Sequence, residues 1–197
     1  IPWDDDIDIA IPREDFEKLE QICRLDPQSP YTFMNWRDDW RLCHNISKVC
    51  DMRTVWIEEA RDGFRVELGV FVDIFPMDGA PKGRWRKVLH GLLIIAHRLM
   101  LRAAALDVHD RRKPFIKRVL ARAWQIVAGE RLIKLVHANL DRLCKKYSFD
   151  QSDEWASYLD YRGLHHYMPK SWVGQGARVS FEGHELLTFA SWHEYLT

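Results

Sequence analysis

Aspartates stand at alternate positions, Asp4, Asp6 and Asp8, in the opening run Ile1-Pro-Trp-Asp-Asp-Asp-Ile-Asp-Ile-Ala10. In an extended chain successive side chains point to opposite faces, so these carboxylates share one face while Trp3, Asp5, Ile7 and Ile9 share the other. Aspartate is depleted in strands, and like charges on one face repel, so the row calls for a cation. Hard divalent ions with oxygen ligands, magnesium above all, answer that demand. Many acidic runs are solvated loops or helix starts, and Pro12-Arg13-Glu14-Asp15 does carry acids suited to a helix's first turn. A solvated loop, however, has no use for Ile7 and Ile9, which alternate with the aspartates as in a half-buried strand. An EF-hand is excluded by spacing, because Ile9 would stand at the sharp-turn glycine and Asp15 at the bidentate glutamate.

A further acid lies in the most strand-like stretch of the chain, Leu68-Gly-Val-Phe-Val-Asp-Ile-Phe75, which is β-branched and aromatic and is expected to stop at Pro76. Its one charged residue, Asp73, is costly to bury unless it is hydrogen-bonded or paired with a cation. If this strand neighbours the first, Asp73 faces the Asp4/Asp6/Asp8 row and completes an oxygen cage. Such a cage suits metal-assisted phosphoryl or nucleotidyl transfer, in which carboxylates and a cation gather and neutralise phosphate oxygens. Asp6 and Asp8 are the expected main ligands, and Asp4 or Asp73 completes the cage or accepts the proton of an attacking hydroxyl. Lys48, on a strand near the metal, is a candidate phosphate contact, with a surface lysine as the alternative.

The elements that must position these groups are legible in outline. Arg13 to Leu25 has the spacing of a helix, with Phe16, Leu19, Ile22 and Cys23 on one face, and Asp26-Pro-Gln-Ser-Pro30 ends it. A short aromatic run follows at 31–36, then strands at 44–50 and 54–58 joined through Asp51-Met-Arg53. Residues 88–106 form an almost apolar helix; His90, His97, Arg98 and Arg102 argue against a membrane span and for a buried core helix, with an interfacial helix as the alternative. Residues 114–128 and 131–147 are expected as amphipathic helices joined at Gly129, with basic residues outward. Tyr167 to Trp172 is a compact turn, 177–181 and 184–189 a hairpin around Glu182-Gly183, and Ser191 with Glu194 a capping box opening a last helix.

Hydrophobic residues at 47% and charged residues at 29% place the 197-residue chain among globular proteins. Cys23, Cys43, Cys50 and Cys144 lack zinc-ligand spacing and are expected as reduced thiols of a cytoplasmic protein. Net charge is zero but uneven: residues 1–80 carry 9 Lys and Arg against 18 Asp and Glu, residues 81–146 carry 17 against 4, and residues 147–197 carry 3 against 7. The basic middle suggests an anionic partner such as a phospholipid surface, a lipid-linked phosphate or a polyanionic glycan. The chain opens at Ile1 inside a strand pattern and closes inside a helix pattern, so a piece of a longer protein, lacking both ends, is expected.

The run Ile1 to Phe16, with Gly69-Val-Phe-Val-Asp-Ile-Phe-Pro-Met-Asp-Gly79 downstream, resembles the LicD family, whose members include fukutin-related protein. Lys48-Val-Cys-Asp-Met-Arg-Thr-Val55, Met168-Pro-Lys-Ser-Trp172 and Phe181-Glu-Gly183 extend the likeness over most of the chain. The resemblance implies an α+β fold, a nucleotidyltransferase-like mixed β-sheet flanked by helices with an inserted basic helical region. Its expected parts are a catalytic core over 1–80, a helical region over 81–147, and a C-terminal hairpin and helix over 148–197. It further implies a Mg2+- or Mn2+-dependent phosphotransferase that moves phosphocholine or a similar phospho-alcohol from a CDP-linked donor such as CDP-choline to a cell-surface glycan or lipid-linked glycan. Asp4, Asp6, Asp8 and Asp73 are then the metal and catalytic positions, and Trp3, Lys48 and Lys170 the substrate contacts. Nucleic acid is not an expected partner; peripheral contact with the inner face of an anionic membrane is. A nucleotide-sugar glycosyltransferase and a non-catalytic glycan- or membrane-binding protein are the alternative readings.

Overall fold

The computed structural model describes residues 7–43, 45–56, 66–160 and 167–196. Strand β1 (Asp8–Pro12) leads directly into helix α1 (Arg13–Leu25), followed by β2 (Tyr31–Met34), β3 (Ser47–Trp56) and β4 (Leu68–Gly79). Three helices come next, α2 (Arg84–Ala105), α3 (Phe115–Val127) and α4 (Glu130–Cys144), then the short strands β5 (Glu154–Ala156) and β6 (Met168–Pro169). The chain continues through the hairpin β7 (Ala177–Phe181) and β8 (His184–Thr188) to a terminal helix, α5 (Trp192–Leu196). Strands β2-β3-β4-β5-β6 lie in that order in one mixed sheet, with β1 added to β4 in parallel and every other pairing antiparallel. The protein is thus a mixed α/β structure of largely antiparallel sheet flanked by helices.

The long strand β4 organises this sheet. It was expected to stop at Pro76 but continues to Gly79. Asp73 donates its N–H to the Ile7 carbonyl on the β1 side, so position 76, three residues on, turns the opposite way. On that edge β3 has ended at Ser47↔Ile74 and β5 begins only at Asp78↔Ala156, so the missing proline N–H falls in a gap between two ladders. The strands expected at 44–50 and 54–58 are, over the described residues, one strand with an irregularity after Asp51. There the Asp51 carboxylate accepts the Arg53 N–H, and the Thr54 hydroxyl donates to the Asp51 carbonyl while accepting the Val70 N–H. Gly69 makes this close approach possible, since a Cβ there would lie 2.0 Å from the Asp51 carbonyl oxygen.

Alternation along β3 and β4 buries one face under α1, where Phe16, Phe33 and Ile74 form a cluster with Ile11, Leu19, Cys23, Val49 and Val72. Phe16 and Phe33 meet edge to face at 5.4 Å. Ile22, expected on the same stripe, faces solvent. A larger core joins α2 and α4: Ile133, Val136, Leu140 and Cys144 follow helical spacing against Ile94, Leu101, Ala104 and Ala105, with Tyr158 completing the cluster. The hairpin and last helix stand where the sequence placed them, and Glu182 and Gly183 take the positive φ values, 51° and 80°, that a tight two-residue turn requires.

Two buried polar groups tie these layers together. Arg13 donates from Nε and Nη2 to the two carboxylate oxygens of Asp78 at 2.7 and 2.6 Å, and the Asp78 side chain is 1% exposed. Burial pushes the Asp78 carboxyl up to about 6 against the pull of the guanidinium, so the pair is ionised at neutral pH. His137 of α4, fully buried, stacks on Trp36 with ring centroids 5.3 Å apart, and its Nε2 lies 3.0 Å from the Trp40 carbonyl. Its Nδ1 meets the Asn45 side-chain oxygen, and the Trp40 carbonyl accepts from Nε2–H. Burial pushes this imidazole down to about 4.

Replacing Asp78 by Ala leaves the Arg13 guanidinium buried without its counter-charge, and a loss of about 3–5 kcal/mol is expected in urea denaturation. The His137 ring is expected to stay neutral in NMR titration down to a pH of about 5. A native pKa below the ordinary 6.5 means that the unfolded chain takes up the proton first, so His137 costs stability as pH falls from 6.5 toward 4, up to roughly 3 kcal/mol. Asp78 acts in the opposite sense between about 6 and 3.8, where the native state takes the proton first, and offsets part of that loss.

Candidate active site

The parallel register of β1 with β4 sets Asp8 against Asp73, and the antiparallel register of β3 with β4 sets Lys48 against the same Asp73. Directly registered residues share a sheet face, so a carboxylate, a carboxylate and an ammonium lie side by side on three adjacent strands. Their face is opposite to the one covered by α1, because Val49, Val72 and Ile74, the chain neighbours of Lys48 and Asp73, pack into the α1 cluster. The Lys48 ammonium contacts an Asp73 carboxylate oxygen at 2.5 Å, and both side chains are mostly shielded, at 15% and 13% exposure. The same ammonium sits 3.5 Å from the centre of the Phe71 ring, two residues earlier on β4. Trp56 meets that ring edge-on at 5.5 Å. Cys50, registered against Phe71, is fully buried, and its thiol is pushed up by burial.

The structure thus joins three of the residues singled out in the sequence, Asp8, Asp73 and Lys48. Trp3, Asp4 and Asp6 lie outside the described residues. Lys170 is held elsewhere: its ammonium donates to the Asp150 carbonyl at 2.9 Å, approaches the Asp150 carboxylate at 3.3 Å and lies over the Phe149 ring. It follows β6, whose partner β5 meets β4 only at Asp78 and Gly79. At about 3.3 Å per residue this is some 16 Å along β4 from Asp73.

Asp8 and Asp73 supply hard oxygen donors of like charge on neighbouring strands, the donor chemistry of a magnesium or manganese site. The ammonium resting on Asp73 shows that this carboxylate accommodates a cation on the sheet face opposite α1. Among the described residues no group of three metal-binding side chains is assembled. A complete cage over the described residues would need donors from beyond them, and Asp4 and Asp6 are the sequence's expectation for these.

Asp78 and Arg13 were in the quoted motifs without a role. Asp78 is five residues after Asp73, so its side chain turns to the α1 face, and parity alone separates it from the carboxylate row. A second acid at odd spacing in an apolar strand, with an arginine opening the helix after β1, was the available signal. His137 gave none, since one histidine on an apolar helix face has no sequence-visible partner.

Residues 1–90 match the LicD/FKTN/FKRP nucleotidyltransferase domain family. This stretch contains β1, β3 and β4 and with them Asp8, Lys48 and Asp73. Over 207 aligned positions the chain is 28% identical to the lipopolysaccharide cholinephosphotransferase LicD of Haemophilus influenzae, with 100% of this chain and 72% of that protein covered. No solved structure matches the chain.

Replacing Lys48 by Met removes the positive neighbour of Asp73 and leaves two carboxylates in register. A stability loss of about 1–3 kcal/mol is expected in metal-free buffer, smaller than for a fully buried pair. Added Mg2+ or Mn2+ is expected to restore more of the thermal midpoint in this variant than it adds to the wild type, measured by scanning calorimetry.

Proposed function

We propose that this chain is a phosphotransferase that moves phosphocholine, or a similar phospho-alcohol, from a CDP-linked donor to the hydroxyl of a cell-surface glycan of the lipopolysaccharide, teichoic acid or capsule type. The observation that carries the reading is the Asp8, Asp73 and Lys48 row, built by three strands of the region that matches the family. The relative's activity, cholinephosphotransfer to lipopolysaccharide, supplies the group and the acceptor class. A nucleotidyltransferase-like fold is part of the proposal and rests on the matched family's description and on the mixed sheet. So is the division into a catalytic core over 1–80, a helical region over 81–147 and a C-terminal part over 148–197.

In this reading an acceptor hydroxyl attacks the phosphorus that carries the alcohol, the new P–O bond forms as the bond to CMP breaks, and the hydroxyl proton passes to a carboxylate. Asp8 and Asp73, with Asp4 and Asp6, would hold Mg2+ or Mn2+, which when bound supplies positive charge to the donor's diphosphate. Lys48 lies in the same row and offers a point charge to a phosphate oxygen, and Asp73 is the acid in direct contact with it. The phenyl ring of Phe71 backs the ammonium and restricts its directions of approach. Trp3 remains a candidate substrate contact; Lys170, anchored at Asp150, would serve only through a part of the substrate that reaches beyond the row. An acceptor attached to lipid would bring the protein to the inner, cytoplasmic face of a membrane.

Incubation with metal, labelled CDP-choline or labelled nucleotide sugars, and a lipopolysaccharide or glycan acceptor tests the proposal through the group that is transferred. Choline phosphate on the acceptor is the expected result, and transfer of a sugar would refute it. Asp8→Asn and Asp73→Asn are each expected to lower the rate by about 100-fold or more with folding retained, as for loss of groups that organise charge at a reacting phosphoryl.

A further inference from the structure

The outer face of α2 is more hydrophobic than its inner one. Toward the core it turns His90, Gly91, Ile94, Leu101, Ala104 and Ala105, and Arg98, which donates to the carbonyls of Tyr158, Leu159 and Asp160. Toward solvent it turns Trp85 at 84% exposure, Leu89 at 62%, Leu92 at 57% and Leu99, spaced as one helical stripe. Between Lys87 and Arg102 the only other charged side chain is the inward Arg98, and the His97 ring is bonded to the Leu93 carbonyl. A buried core helix, as expected from the sequence, would have the opposite arrangement. The neighbouring α3 repeats the pattern with Ile116 and Leu120 exposed. Gln125 of α3 donates to the carbonyls of Ala103, Ala104 and Leu106, which fixes α3 against the last turn of α2.

The charge on these helices selects the occupant. Neither α2 nor α3 contains an acidic residue. Arg84 and Arg86 flank Trp85 at the start of α2, Arg102 is exposed near its end, and Lys117 and Arg122 are exposed on α3. A second copy of the same face would bring like charges together, whereas an anionic bilayer satisfies both the apolar stripe and its basic margins. The length and composition of α2 also suit a membrane span. Its inner face is committed to the protein, however, through the Arg98 hydrogen bonds and the packing of Ile94 and Leu101 against α4, so the helix lies on a membrane rather than across it. We propose that α2 and α3 form a membrane-docking surface that inserts this apolar face into the interfacial region of an anionic phospholipid bilayer. It rests on the membrane-facing part of the function proposed above and assigns that contact to specific residues.

The test is co-sedimentation of the 197-residue chain with vesicles of phosphatidylcholine alone, or with about a third of it replaced by phosphatidylglycerol. Binding to the anionic vesicles, weakened by salt and absent with neutral ones, is expected. The double variant Leu89→Glu/Leu92→Glu, its fold verified by circular dichroism, is expected to lose more than about tenfold in binding. Wild-type chain left in the supernatant, equal binding to neutral vesicles, or unchanged binding of the double variant would overturn the proposal. A dimer in sedimentation velocity that the double variant dissolves, without vesicle binding, would assign the face to a second copy instead. Choline-phosphate transfer to a water-soluble glycan acceptor separates the two proposals: it is expected to survive in the double variant, and its absence alongside intact vesicle binding would count against the transferase alone.

Discussion

The parallel pairing of β1 with β4 sets the position of nearly everything else of interest in this protein. The register runs from Asp8↔Asp73 to Pro12↔Met77, and one step further the Arg13 and Asp78 side chains meet as a buried bidentate ion pair. That pair continues the register and anchors it. Slipping by one residue would turn Asp8 to the apolar α1 face and separate the guanidinium from its bidentate carboxylate partner, so a single electrostatic contact disfavours the nearest wrong pairing. Because α1 begins at Arg13 without a linker, the same contact sets where the helix starts and which sheet face it covers.

The sheet's two faces then divide the chemistry. One face is closed by Phe16, Phe33, Ile74 and their neighbours and supplies rigidity. The other carries two registered carboxylates, an arrangement that repels itself until a cation joins it. In the structure that cation is the Lys48 ammonium, supported by the Phe71 ring. A lysine in this place balances the charge of the carboxylates and is itself suited to follow a phosphate. Structural charge balance and the proposed chemistry therefore draw on the same three side chains.

The helical region obeys a different logic. Core helices normally bury most of their large apolar residues, yet α2 directs only Ile94 and Leu101 inward among small residues, a histidine and a hydrogen-bonded arginine, and leaves Trp85, Leu89, Leu92 and Leu99 outside. Part of the inward face is taken by Arg98, whose head group satisfies three carbonyls of the 158–160 segment. Tertiary packing has chosen which side of a nearly uniform apolar helix faces the protein, and the basic residues follow the exposed side.

Some of this was legible in the residues alone. Period-2 aspartates among isoleucines, a lone Asp73 in an apolar strand, the limits of α1 and the Glu182-Gly183 hairpin all follow from local rules of alternation, capping and turn conformation, which act within a few residues. The motifs around Asp8 and Asp73 also pointed to the family whose domain matches residues 1–90. Other features depended on partners distant in the chain. Pro76 is tolerated inside β4 only because two different strands leave a gap beside it, and Asp51 to Trp56 stays one strand only because Gly69 lets another backbone approach. Asp78 became a buried ion pair rather than a further carboxylate of the row because odd spacing turned it toward Arg13, and His137 acquired its buried surroundings from Asn45, Trp36 and Trp40, some 90 to 100 residues away along the chain. Residue types and spacing determined which groups carry charge and which local elements form. Tertiary structure alone decided which of those groups meet, because register, burial and desolvation depend on segments that the local sequence does not contain.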